Sequence, residues 1–109
     1  MPTKVLTATI ANGAQLSGEL DLQYYKLVAL EFATMTGTAL TFTAASATGG
    51  TFVDVYDDAG SQVSITIASD TVVGITGTPA GAIAPLRFVK LKSGSAEGAE
   101  RTVNVILRA

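Results

Sequence analysis

Asp54, Asp57 and Asp58 crowd into one short stretch, "TFVDVYDDAGSQVSITI" (Thr51 to Ile67), with Tyr56 between them. Clustered carboxylates suggest a calcium loop or an acid–base pair. A calcium loop needs several oxygen ligands in a tight arc, with acidic or amide residues at alternate positions, a Gly at the bend and a closing Glu. "DVYDDAGSQ" departs from that pattern, because Val55 and Tyr56 separate the first Asp from the next two and no Glu follows within reach. A hairpin accounts for the stretch more simply. Asp57 and Asp58 suit the first positions of a turn, and Gly60 sits where positive φ is needed.

Strict alternation places Val53 and Val55 on one side of this strand and Phe52, Asp54 and Tyr56 on the other. A β-bulge near Asp54 would instead turn Phe52 and Val55 toward the core. Either arrangement leaves Tyr56 on a surface beside Asp54 or Asp57. A tyrosine next to carboxylates offers apolar area and a polar hydroxyl, which suits a glycan or a subunit contact. A solvated tyrosine at a strand end is the alternative. Tyr24 and Tyr25 are weighed in the same way, one expected buried and the other exposed.

Other chemistry has little material. The chain has no His and no Cys, so histidine triads, cysteine nucleophiles, thiolate zinc sites and disulfides are excluded. Serines such as Ser61, Ser64 and Ser93 accompany lysines, yet no spacing singles out a Ser-Lys pair. No enzyme activity, cofactor or metal is therefore expected. A net charge of −2, with only seven scattered basic residues, argues against nucleic acid, since phosphate binding takes clustered Lys and Arg. The nearest cluster, Arg87, Lys90 and Lys92 in "LRFVKLK", spreads over both faces of a strand. No run approaches 18 consecutive apolar residues and no apolar run follows "MPTK", so neither a membrane span nor a signal peptide is expected.

The elements that must position these residues read as strands. Charged residues are only 15% of the 109, below the usual quarter, while Thr, Val, Ala and Gly abound, favouring short strands with β-branched faces. "KVLTATI" alternates with Leu6, Ala8 and Ile10 on one face and then meets Asn12-Gly13, a strong hairpin signal when both residues take positive φ. The return arm carries Leu16, Leu20 and Leu22 at even spacing. "YYKLVALEFA" is apolar on both sides, with Val28, Leu30 and Phe32 on one and Leu27 and Ala29 on the other, which predicts a central or subunit-covered strand.

"ALTFTAA" places Leu40, Phe42 and Ala44 inward and Thr41 and Thr43 outward, and "QVSITI" places Val63, Ile65 and Ile67 inward. "DTVVGIT" and "LRFVKLK" are further strands, "GTPAGAIAP" reads as a loop, and "RTVNVIL" closes with Val103, Val105 and Leu107 inward. No helical periodicity is convincing. The expectation is one all-β domain over residues 1–109, an antiparallel β-sandwich of about eight strands in two sheets.

The order of segments resembles small virion proteins encoded by tailed bacteriophages near their head genes. The resemblance spans nearly the whole chain, and its most specific pieces are "TFVDVYDDAG" and "LRFVKLKSG", with "KLVALEF", "LTFTAAS" and the final "RTVNVIL" in support. It implies a jelly-roll of the carbohydrate-binding-module kind, acting as a capsid decoration or cement protein. Such a protein would be made in the host cytoplasm, sit on the capsid exterior, form a homotrimer and have the major capsid protein as partner. The alternative is a virion adaptor that contacts host surface glycans through Asp54, Tyr56, Asp57, Tyr24 or Tyr25.

Overall fold

The computed structural model describes residues 2–109. Nine strands and one short helix follow in the order β1 (Thr3–Ile10), β2 (Leu20–Asp21), β3 (Lys26–Phe32), β4 (Ala39–Ala45), β5 (Val53–Asp54), β6 (Ser64–Thr66), β7 (Val72–Gly74), α1 (Gly77–Ile83), β8 (Phe88–Ser93) and β9 (Arg101–Arg108). They form two antiparallel sheets. One has the order β1-β9-β3-β7, and the other β2-β8-β4-β5, with β6 also paired to β4. First pairs with last, second with second last, and so inward to β4 with β5 and β6. This nested pairing is that of a long hairpin rolled over itself, the jelly-roll form of a β-sandwich.

Strand alternation builds the core as the sequence predicts. Ile10, Leu30, Leu40, Phe42, Leu91, Val103 and Leu107 are fully buried between the sheets. Each such side chain contributes roughly 1.5–3 kcal/mol through the apolar surface it removes from water.

The hairpin expected at Asn12-Gly13 does not form. Ala14 N–H donates to Ala11 O at 3.0 Å, and only Gly13, with φ of 82°, is in the left-handed region. A turn with positive φ at its third residue alone splays the flanking arms and does not pair them. The chain therefore leaves β1 after a single bridge, Ile10 to Ser17, and crosses to the second sheet, where Leu16 bridges Lys92 and Leu20 pairs with Val89.

β3 is central, as expected, but it is not a straight strand with two apolar faces. Its register against β9 shifts between Leu27 and Ala29, so a bulge rotates the chain and sends Leu27, Leu30 and Phe32 all into the core. "GTPAGAI" is a helix, not a loop. Pro79 falls in its first turn, where a missing N–H matters least, and Ile83 is fully buried and fastens it to the sandwich.

The stretch Thr51–Ile67 also differs from two neighbouring strands. β5 and β6 both pair with β4, Asp54 opposite Thr43 and Ser64 opposite Thr41, so they are two parts of one edge strand. The residues between them leave the sheet as a small hairpin. With β5 and β6 counted as one position, the sandwich has eight strands.

Four sheet-to-sheet crossovers meet at one end of the sandwich, and Glu97 joins three of them. Its carboxylate accepts hydrogen bonds from Thr36 N–H at 2.8 Å, Gly37 N–H at 2.9 Å, Ser93 Oγ at 2.7 Å and Arg101 Nε at 3.1 Å. Its main chain bonds the β1–β2 crossover, accepting from Gly13 N–H and donating to Ala14 O. Gly37 admits this geometry because a Cβ there would strike Ser93 Oγ. The side chain is fully buried. Burial pushes the acid upward, but the hydrogen bonds from Thr36, Ser93, Gly37 and Arg101 outweigh it and hold Glu97 at about 2, against the ordinary 4.5.

A carboxyl whose folded pKa is depressed contributes its full stabilisation above pH 4.5 and loses it as pH falls toward about 2. That difference corresponds to roughly 3 kcal/mol. Glu97→Gln is therefore expected to be less stable than the wild type near neutral pH, with the gap closing between pH 4.5 and 2. Urea melts across that range check it, and a gap independent of pH would contradict it.

Thr43, expected on the solvent side, is instead 5% exposed and its Oγ1 has no hydrogen-bond partner. It lies on the outer face between Lys90 and Asp54 in the register, beside a Lys90 ammonium that stands 4.6 Å over the Phe52 ring. Thr43→Val removes an unsatisfied hydroxyl, so thermal melts should show stability unchanged or raised by up to about 1 kcal/mol.

Candidate functional site

The hairpin between β5 and β6 is built by its own polar groups. Val55 is buried and its N–H donates to Phe42 O, while Val63 N–H donates to Val55 O and closes the base. Tyr56 bridges Gln62, and Asp57 N–H donates to Ser61 O at 2.8 Å. Asp57 Oδ1 then accepts from Ala59 N–H and Ser61 N–H, each at 2.9 Å, and Gly60 takes φ of 87°. Asp57 is thus a turn former whose oxygen faces the N–H groups of its own loop. Among the described residues no three acidic side chains are placed to hold a metal ion together.

Beside the hairpin lies α1. Tyr56, Asp57 and Asp58 form one wall of an open groove of about 430 Å³, and Thr78, Gly81, Ala82 and Pro85 form the other. Tyr56 is 56% exposed there. The small residues of the helix leave room opposite the ring, so the groove presents an aromatic face, two carboxylates and a hydroxyl. Such a set suits a polyhydroxylated or amide-bearing ligand.

The remaining sequence-derived candidates lie elsewhere. Asp54 is on the outer face of the five-stranded sheet, where Lys92 Nζ stands 3.8 Å from its carboxylate. Phe52 shares that face through Lys90, and of the two valines that strict alternation sets on the opposite side Val55 is buried while Val53 is 62% exposed at the sheet edge. Tyr24 and Tyr25 follow β2, the opposite edge of the same sheet, and line neither groove described here. Tyr24 is almost wholly exposed, whereas Tyr25 packs against the core with Lys4 Nζ 5.6 Å from its ring centre. Asp21 anchors that corner. Its two oxygens accept from Arg87 at 2.9 and 3.1 Å, which holds its acid below the usual carboxylate range.

A second groove, of about 440 Å³, opens on the four-stranded sheet and is lined by Glu31, Asp70, Thr71, Val72, Thr102 and Asn104, with the Phe32–Ala33 chain beneath. Asn104 Nδ2 donates to Glu31 Oε1 at 2.7 Å, and Thr34 Oγ1 donates to Asp70. Nothing in the sequence marks this groove, because its residues come from three strands with a separation of up to 73 positions. The period-two pattern of "RTVNVIL" does assign Asn104 to an outer face.

No protein-family model matches the chain, and no curated protein matches it by sequence. Solved structures do. The SPBc2 prophage-derived protein YomS aligns over 98% of this chain and 95% of its own, with a TM-score of 0.55 and 14% identity. The two share a fold. The Yersinia pseudotuberculosis-derived mitogen YPM aligns over 99% of this chain and 86% of its own at 11% identity, but its TM-score of 0.38 is too low to bear on fold or function.

Asp57→Ala should loosen the hairpin while leaving the sheets intact. Amide exchange at Ala59 and Ser61 is expected to accelerate, with a global stability loss of about 1 kcal/mol. Unchanged exchange at both amides would show that the carboxylate does not hold the turn.

Proposed function

We propose that the chain is a structural protein of a bacteriophage virion, a capsid decoration or cement protein that binds the outer capsid surface and acts through surface contacts without catalysing a reaction. The observation that carries this reading is the jelly-roll itself, similar over nearly its whole length to a prophage-derived protein. The order of its strand and turn segments, which resembles that of small phage virion proteins, points the same way. A compact sandwich with grooved faces and a rigid crossover end suits a protein that buries surface against a shell and against copies of itself. Its localisation would be the particle exterior after synthesis in the host cytoplasm.

A second reading is favoured by one observation, the exposed Tyr56 facing small helix residues across a groove with two carboxylates. In that reading the protein is a virion adaptor that binds a host surface glycan. The absence of Trp weakens it, since sugar platforms favour large aromatic faces.

Purified protein mixed with undecorated heads, assembled from the capsid protein of the same genome, should co-sediment to a saturating stoichiometry and raise the temperature at which heads rupture. Failure to co-sediment overturns the decoration reading. In parallel, binding to host lipopolysaccharide or to a glycan array, abolished by Tyr56→Ala, would establish the adaptor reading in its place.

A further inference from the structure

The outer face of the four-stranded sheet is ordered in transverse rows by its register. Thr3, Arg108 and Lys26 form the first row, and Val5, Ile106, Ala29 and Gly74 form the second. Thr7, Asn104, Glu31 and Val72 form the third, and beyond it Asp70 borders the groove already described. The face is therefore basic at one end, apolar across its middle and acidic at the other end. Val5 and Val72 are among the most exposed large apolar side chains of the protein, at 57% and 53%.

Among the described residues the charges on this face have no ion-pair partner. Of the seven basic side chains, Arg87, Lys92 and Arg101 are in ion pairs, and Lys4 and Lys90 stand over aromatic rings. That leaves Lys26 and Arg108, which are cross-strand neighbours in the first row. Like charges placed opposite one another on a sheet repel, so the pair calls for a counter-charge from outside. At the other end Glu31 accepts from Asn104 and Asp70 from Thr34, and among the described residues neither is paired with a cation.

We propose that this face is a self-complementary contact through which two copies of the chain pair face to face about a two-fold axis lying along the Val5–Ile106–Ala29–Gly74 row. An isologous contact requires a surface that complements itself. Rotation about an axis across the strands reverses strand direction and keeps each strand over its own copy. The apolar rows meet, Ile106 on Ile106 of the second copy. Lys26 comes over Glu31 of the second copy, twice by symmetry, and Arg108 reaches the acidic groove of Glu31 and Asp70. An axis parallel to the strands would set cations on cations. Sheets packed in this way lie about 10 Å apart with strands within about 30° of alignment.

Four strands at about 4.8 Å and three rows at about 6.8 Å give a face of roughly 400 Å² per copy. That is at the small end for protein contacts and implies reversible pairing, most useful where copies are held close together. The pairing stands on this face alone and does not require the virion reading, so failure to bind heads leaves it intact, and the reverse also holds.

The test is sedimentation equilibrium on the full chain over about 1–500 µM, the range suited to a contact of this size. Wild type is expected to dimerise, more weakly as salt rises. Glu31→Lys leaves Asp70 as the one acid on a predominantly positive face, and Lys26→Glu with Arg108→Glu makes the face all negative. Each variant should self-associate at least tenfold more weakly, and a 1:1 mixture of the two should pair again at or above the wild-type strength. Thermal melts establish that both fold. A monomeric wild type overturns the proposal, as does a mixture of folded variants that fails to pair. An association insensitive to the swaps, whether a trimer through another surface or edge pairing along β1, overturns it equally.

Discussion

A jelly-roll leaves its backbone exposed where the chain passes from one sheet to the other, and at one end of this sandwich a single buried acid joins three of those passages. Glu97 supplies acceptors to Thr36 and Gly37 at the β3–β4 crossover, to Ser93 at the end of β8 and to Arg101 at the start of β9, while its backbone holds the β1–β2 crossover. Thr36 Oγ1 extends the cluster by accepting from Gly98 N–H and Arg101 Nη2. A neutral side chain there would leave buried N–H groups unsatisfied, which is more damaging than the loss of an ordinary hydrogen bond. The sheets can then be short and lightly charged because their relative placement is fixed at this end.

The architecture was legible in the sequence wherever period-two alternation was clean. Leu40 and Phe42, Val63 and Ile67, and Val103, Val105 and Leu107 all point inward as their spacing demands. What alternation does not encode is partnership. Asn12-Gly13 carries a hairpin signal, yet Asn12 does not take positive φ, so the arms diverge and β1 finds β9 at the far end of the chain. β3 looked two-faced because a bulge is invisible to a periodic count. α1 was hidden by Gly and Pro, whose helix penalties are real in isolation but are outweighed here by burial of Ile83.

The site followed the same division. Tyr56 and Asp57 do share a groove, as their adjacency suggested, but the opposite wall is the helix that the sequence concealed. Asp54, Tyr24 and Tyr25 are dispersed by topology to other faces. Glu97, the most perturbed acid, gave no local signal, since in sequence it is one polar residue in a Gly and Ser loop. A fully buried carboxylate emerges only when crossovers far apart in the chain are folded onto one another.

The interrupted edge strand has a further consequence. β4 pairs with β5 before the hairpin and with β6 after it, so the register of the sheet is set on both flanks and does not depend on how long the excursion between Val55 and Val63 is. Lengthening a closed surface loop adds only a slowly growing entropic penalty. The tip at Asp58 to Gly60 is therefore a natural port for inserted peptide. A foreign segment grafted there would be displayed beside α1 from a sandwich that keeps its core, its crossovers and its outer faces unchanged.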